Sequence, residues 1–530
     1  MKKLRDACRI LIAAGFLGTC GLAGAGEAGS SGSTVFRGGL VVDGSGGTPR
    51  LADVWIEDGR IVAVGDGAER EADREIDVAG MIVAPGFIDT HAHGAPLKTP
   101  DFENFLRMGV TTLCIGQDGS SPFSDDLENW RAEIEAAGVA PNIAPFLGHG
   151  TIRRRSGIGI APNPSEEEIN RMAAMAEQAM AAGAFGLTTG LEYQPGSFAG
   201  IQELATIAKP IAARDGVVMS HVRNEDEGEV LLAVAELLEQ GRLAGARVHV
   251  SHIKTVYGRG AESAEALLQR LDEARAKGLR VTADLYPYIA SYTGIGIVFP
   301  PWAKPPFDYE EVVRDQRDAL ATFLRERVNL RNGPEATLIG TGKWRGKTLA
   351  EIAAETGQPF EDVLIDLGPG GASGAYFVMD LAAMERFLVD PNVMICSDGS
   401  PTMLHPRGHG SFARILAEYV REKKLLSLEE GIHKMTGLPA ATTGLARGDT
   451  GSGILPRGRV EAGWAADLVV FNLNEVEDTA TFEEPHQLAK GFSYVVVNGQ
   501  FAIDEGKRSP VFPGKVLRMA SGRADRGGGR

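Results

Sequence analysis

Eight short apolar runs, amphipathic helical stretches between several of them, and strand-rich segments at both ends of the chain predict an α/β protein. The expected architecture is a (β/α)8 TIM-type barrel with a small β-sandwich built from the N- and C-terminal segments. The barrel runs are 86–91, 110–116, 142–148, 185–190, 217–221, 247–252, 281–285 and 393–397, and helical patterns at 165–182, 229–240 and 261–277 separate several of them.

Taken from the N-terminus, residues 1–25 read as a secretory signal. Lys2, Lys3 and Arg5 precede an apolar stretch from Ile10 to Leu22, and Ala23-Gly24-Ala25 supplies the small residues of a cleavage site. The expected location is therefore exported, periplasmic or secreted. A secondary reading takes Leu17-Gly18-Thr19-Cys20 as a lipobox with a lipid anchor at Cys20, although Thr before the Cys is atypical. No other apolar run approaches the roughly 20 residues of a transmembrane helix. Residues 26–33 form a Gly/Ser linker, and strand patterns at 34–42, 53–57, 60–64 and 75–83 make the first part of the sandwich, 34–84. The barrel occupies 85–450. The gap between its seventh and eighth runs is too long for one helix, so 287–392 is an insertion, with strand-like runs at 336–342 and 375–380, fit to act as a lid or substrate loop. Strand patterns at 466–472, 494–498 and 500–504 complete the sandwich within 451–518, and 519–530 reads as a disordered tail.

Composition narrows the partners. With 54 Lys and Arg against 70 Asp and Glu, the net charge is −16, and loss of residues 1–25 makes it −19. No basic block offsets this field, so nucleic acid is excluded as a partner. After export only Cys114 and Cys396 remain, both in apolar strand-like runs, which points to buried thiols rather than a disulfide.

The chemistry lies in the histidines, four of which end predicted strands. His91 and His93 form His-Ala-His, and the period of two puts both on one face. Asp398 ends the eighth run, beside the first in a closed barrel. His221 and His252 end the fifth and sixth runs, while His249 falls on the opposite face and reads as structural. Four imidazoles and a carboxylate at one mouth point to a divalent metal site. Two metals there need a bridging anion, and run four offers no lysine for it. Asp118, just past run two, is the favoured ligand, with a turn aspartate before Gly119 as its alternative.

Gly-Phe-Ile-Asp-Thr-His-Ala-His (86–93), Gly-His-Gly-Thr-Ile-Arg (148–153), Gly-Leu-Glu-Tyr-Gln-Pro-Gly (190–196), Ser-His-Val-Arg-Asn-Glu (220–225), Ser-His-Ile-Lys (251–254), Leu-Tyr-Pro-Tyr (285–288), Ser-Asp-Gly (397–399), His-Pro-Arg (405–407) and the run 478–487 carry a resemblance. They resemble the N-acyl-D-amino-acid deacylases (the D-aminoacylase family) of the amidohydrolase superfamily, over about 34–518. The resemblance implies the barrel and sandwich, one or two zinc ions, and an N-acylated D-amino acid as substrate. It places His91, His93 and Asp398 around one metal and His221 and His252 around the other. Family members commonly carry Gly-Asn-Cys-Gly where this chain has Gly-Gln-Asp-Gly (116–119), a carboxylate in place of a thiolate.

Asp398 is the expected general base. Lys254 or Arg223 would bind the substrate's α-carboxylate, with Tyr286 or Tyr193 adding a hydroxyl; the resemblance favours Lys254 and Tyr286, and the alternative for Arg223 is an ion pair with Glu225 or Asp226. His405, Arg407 and His409 divide between loop capping and substrate contact. The rival functions are a dipeptidase or cyclic-amide hydrolase on the same metal site, and a non-catalytic barrel serving as a binding module.

Overall fold

The computed structural model describes residues 32–65, 70–123, 126–449 and 451–520. The segment expected to direct export, Cys20 included, lies outside these residues.

The two ends of the chain build one β unit. Thr34–Val41, Arg50–Glu57, Arg60–Gly65, Arg74–Asp77 and Ile82–Pro85 join Leu468–Phe471, Phe492–Val497, Gln500–Asp504 and Lys507–Arg508 in a single nine-stranded sheet. The seam is the antiparallel pairing of Ile82–Pro85 with Leu468–Phe471. The run expected at 75–83 divides in two, because a turn in which Met81 N donates to Val78 O interrupts it. Laid flat, Thr34–Val41 and Phe492–Val497 would stand three strand spacings apart, about 14 Å. Instead the Phe36 and Tyr494 rings lie 6.0 Å apart, so the sheet curls over a core that includes Val54, Ile56, Leu468 and Val470.

The barrel strands are Phe87–Ala92, Val110–Ile115, Asn142–Pro145 continued by Leu147–Gly148, Gly186–Gly190, Val217–His221, Arg247–Val250, Val281–Leu285 and Val393–Ile395. All neighbouring pairs are parallel. Closure between the eighth and first strands comes from Asp398 N to His91 O (2.8 Å) and His93 N to Gly399 O (2.7 Å). Closure therefore depends on the same residues that carry the candidate chemistry. Outside, the helix Glu166–Ala181 starts with a capping box between Ser165 and Glu168. The helix Val230–Ala244 buries Val230, Ala233, Val234, Leu237 and Gly241, the i, i+3, i+4 stripe of a barrel helix. Each large aliphatic side chain so buried contributes ~1.5–3 kcal/mol.

The insertion has a core of its own. Ser291–Gly294, Ser373–Tyr376 and Thr337–Ile339 form a three-stranded antiparallel sheet, and the helix Tyr309–Leu330, capped by Asp308, packs Leu320, Leu324 and Val328 with Ile339, Ile352 and Leu364. The strand expected at 375–380 lies earlier in the chain. Of the tail expected at 519–530, Met519 and Ala520 are packed, only 8% and 7% exposed, with Met519 N donating to Gly183 O (3.0 Å), and the remainder lies outside the described residues. Cys114 and Cys396 are buried free thiols. Among the described residues no helix is long and apolar enough to cross a membrane.

Candidate metal centre

His91 and His93 leave the end of the first barrel strand into the mouth. His91 Nε2 lies 3.3 Å from Asp118 Oδ1 and 3.7 Å from Asp398 Oδ1; His93 Nε2 lies 3.4 Å from Asp118 Oδ2 and 3.1 Å from Asp398 Oδ1. On the other side of Asp118, His221 Nδ1 and His252 Nε2 each lie 3.6 Å from Oδ1 and 3.0 Å from each other. Two groups that share Asp118 thus form, His91, His93, Asp118 and Asp398 in one and Asp118, His221 and His252 in the other, and a third gathers Glu192, His221 and Glu225. Asp118 joins the first two groups from within a turn before Gly119, and Cys114 stays in the core.

The local backbone explains how three of these side chains reach inward. Asp118, His252 and Asp398 all adopt left-handed φ values of 52°, 38° and 48°. Such conformations cost about 1–3 kcal/mol each and persist only where the surroundings impose them. At Asp118 the loop is pinned by Gln117 Nε2 donating to Thr90 O (3.0 Å). It also packs against Gly190, where a Cβ would stand 2.4 Å from Asp118 O, so a glycine is required there. The backbone N of His252 donates to buried Asp284, which also accepts from Thr90 Oγ1 and faces His249 Nε2 at 2.9 Å. His249 thus stands behind the site, on Asp284, and belongs to none of the donor groups.

The donors fit divalent cations. Zinc bonds of about 2.0–2.1 Å at tetrahedral angles separate neighbouring ligand atoms by about 3.3 Å; the seven donor distances given above run from 3.0 to 3.7 Å, and all the donors of each group lie within 4.8 Å of one another. Among the described residues, buried His91 Nε2 and Asp118 Oδ1 have no hydrogen-bond partner, atoms that a shared cation would satisfy. Burial works to raise the Asp118 carboxyl, but the surrounding imidazoles hold it well below the usual range. Burial likewise opposes charge on His93, and the Asp118 and Asp398 carboxylates overcome it, raising the imidazole to about 10.

A second layer orients the imidazoles. His221 Nε2 meets Glu192 Oε2 at 3.0 Å, and His252 Nδ1 meets Glu225 Oε1 at 3.2 Å. Carboxylates in these places fix which ring nitrogen faces the cation. Lys254 Nζ lies 2.6 Å from Glu225 Oε1 and 2.8 Å from His252 Nδ1. Asp398 Oδ2 pairs with Arg407 Nη1 at 2.9 Å; against the effect of burial, Arg407 and His93 hold the Asp398 carboxyl well below its ordinary value.

The site opens into a cavity of about 260 Å³ whose walls include Tyr193, Lys254, Tyr286, Arg331 and Arg407. The Tyr286 hydroxyl is buried without a partner among the described residues, and burial pushes the phenol up to about 12. Tyr193 OH lies 3.3 Å from Thr293 Oγ1. Lys254 reaches the cavity by a turn, not by the strand continuation expected, since the strand ends at Val250. Arg223 does not belong to the site. Its guanidinium pairs with Glu236 at 2.9 Å and donates to the carbonyls of Ser197 and Ala199 at 2.8 Å; neither expected acid partner holds it. His405 is a loop support: its Nε2 meets Ala290 O and its Nδ1 accepts from Arg407 N, both at 3.0 Å. No strand period points to Glu192, Glu225 or Arg331, although the first two sit inside the motifs at 190–196 and 220–225.

Such a mouth is that of a parallel barrel able to hold divalent cations at the ends of its strands. A model of the amidohydrolase family matches residues 74–503. The chain is 36% identical over 508 residues to an N-acyl-D-glutamate deacylase of Alcaligenes xylosoxydans xylosoxydans, covering 91% of this chain and 96% of that protein. It is 34% identical over 523 residues to a D-aminoacylase of the same organism, covering 91% and 97%. The crystal structure of a Bordetella bronchiseptica N-acyl-D-glutamate deacylase, complexed with zinc and a phosphonate mimic of the tetrahedral intermediate, matches with a TM-score of 0.79 at 32% identity, over 92% of this chain and 99% of that one. The chain belongs to the amidohydrolase family, and within it to the N-acyl-D-amino-acid deacylases.

Proposed function

We propose that this chain removes the acyl group from N-acyl-D-amino acids, giving a carboxylate and a free D-amino acid. One observation carries the reading: cation positions joined through Asp118 share a cavity with Lys254, Tyr286 and Arg407, a receptor for a carboxylate beside a centre for amide hydrolysis. The D configuration comes from the named relatives.

His91, His93, Asp118 and Asp398 would hold one divalent cation, and Asp118, His221 and His252 a second. When bound, zinc supplies Lewis acidity toward the amide carbonyl and lowers the pKa of water to about 7. Asp398 takes the proton of the attacking water and delivers it to the leaving amine nitrogen, with Arg407 fixing its orientation. Glu192 and Glu225 keep His221 and His252 in the tautomers that face the cation. Lys254, Tyr286 and Arg407 bind the α-carboxylate, and Tyr193, its ring 4.7 Å from His221, positions the amide on the metal side.

The test is turnover by the zinc-loaded protein of matched N-acetyl-D- and L-amino acids, dipeptides and hydantoins. D-selective deacylation is expected, and turnover of dipeptides or hydantoins alone would overturn the reading. Export through residues 1–25 belongs to the same proposal, supported by the basic, apolar and small-residue order of that segment. Cell fractionation with N-terminal sequencing checks it, and a cytoplasmic protein starting at Met1 would refute it.

A further inference from the structure

We infer that Arg331 reads the substrate's side chain, making dicarboxylic N-acyl-D-amino acids the preferred substrates; this rests on the deacylase reading. Arg331 follows the insertion helix Tyr309–Leu330 and lines the same cavity as Lys254 and Arg407. It is 2% exposed, yet poorly paired. Its nearest carboxylate oxygen, Asp226 Oδ1, lies 4.0 Å away, and Asp226 Oδ2 is already bound to Arg327 at 2.7 Å. Its Nη1 donates to Tyr257 OH at 3.2 Å, and among the described residues its Nε has no partner. The faces of Tyr257 and Tyr376, with centroids 5.7 and 5.1 Å from the guanidinium carbon, hold it in apolar surroundings.

The other two lining cations differ. Lys254 has a carboxylate at 2.6 Å and Arg407 one at 2.9 Å. The remaining acids on the cavity wall are occupied as well: Glu225 by Lys254, Asp226 by Arg327 and Glu192 by His221. A buried guanidinium with five donors and so few acceptors is completed by a carboxylate, whose two oxygens match its fork. An α-carboxylate held at Lys254, Tyr286 and Arg407 leaves a second, side-chain carboxylate for Arg331. An amide or aliphatic side chain would leave the guanidinium short of acceptors, which makes the site selective.

The experiment measures kcat/KM of the zinc-loaded full chain for N-acetyl-D-glutamate, D-aspartate, D-glutamine and D-leucine, in the wild type, Arg331→Met and Arg331→Lys. The acidic substrates should exceed D-glutamine by at least about tenfold. The D-glutamate to D-leucine ratio should fall at least about 100-fold in Arg331→Met, mainly through KM, and recover in part in Arg331→Lys. Equal wild-type values for D-glutamate and D-glutamine, or a uniform loss on all four substrates in Arg331→Met, would overturn the inference. If Arg331→Met fails to fold, the wild-type ratio and Arg331→Lys decide. Selective turnover of neutral D-substrates refutes this inference alone, whereas no turnover of any N-acyl-D-amino acid refutes the deacylase reading beneath it.

Discussion

The two cation positions are supplied in different ways. The first draws His91 and His93 from one strand, Asp398 from the neighbouring strand end, and Asp118, and its Asp398 is fastened by a buried guanidinium. The second has two imidazoles from adjacent strands and only Asp118 besides, with Glu192 and Glu225 behind the rings. Four side chains against three makes the second position the one that depends on Asp118. Asymmetry of this kind suits a site in which one cation is held firmly and the other through a shared carboxylate.

The largest expected effect tests the first position. Asp398→Asn should cut kcat by about 10³-fold in a chain that still folds but melts lower, because the substitution keeps the side chain's shape, removes its basicity and leaves Arg407 without its carboxylate. Turnover within tenfold of wild type would move the base elsewhere. Next, Asp118→Asn should cost about one metal equivalent per chain, read by elemental analysis, with the first position still filled. Loss of both equivalents together would make the positions equal partners, and no loss would remove Asp118 as a ligand. Glu192→Gln should weaken the second position about 10–100-fold in chelator competition, as loss of a carboxylate behind a ligating imidazole does. An equal change at both positions would erase the contrast.

The smallest effect concerns acid stability beside the first position. His409 lies on the helix Arg407–Arg414, which carries the guanidinium that holds Asp398. Burial, with His486 nearby, pushes its imidazole down to about 4. The folded state therefore refuses a proton that the unfolded chain accepts below about 6.5. Stability from this group is full above that value and drains away as the pH falls toward 4. Melting temperatures should drop by a few degrees between pH 7 and 5, and less in His409→Gln; equal drops in both would clear His409.

Much of the site was legible because strand period and strand ends are sequence properties. His91, His93, His221, His252 and Asp398 followed from apolar runs that stop at polar residues, and Asp118 from its place just beyond such a run. Counting by two failed past the strand ends. Arg223, two residues after His221, turns back to Glu236 and two carbonyls instead of entering the cavity. Lys254 does enter it, but through the left-handed turn at His252. Glu192, Glu225 and Arg331 sit in loops or just past a helix, where no periodicity marks an inward-facing side chain. In the insertion, the helix Tyr309–Leu330 leaves a weak sequence signal because only a thin stripe at Val312, Leu320, Leu324 and Val328 is buried.

The order of strands and helices, the strand-end imidazoles and the carboxylate at the end of the eighth strand were determined by the sequence itself, since each depends on residues close together in the chain. The sequence leaves Asp118 between a bridging ligand and a turn residue; only the tertiary structure decided that it lies within two donor groups, that Glu192 and Glu225 stand behind the imidazoles, and that Arg331 reaches the cavity from an insertion lying between the seventh and eighth strands. Those contacts join residues far apart in the chain, and barrel closure with left-handed turns sets their distances. No local pattern encodes such a distance.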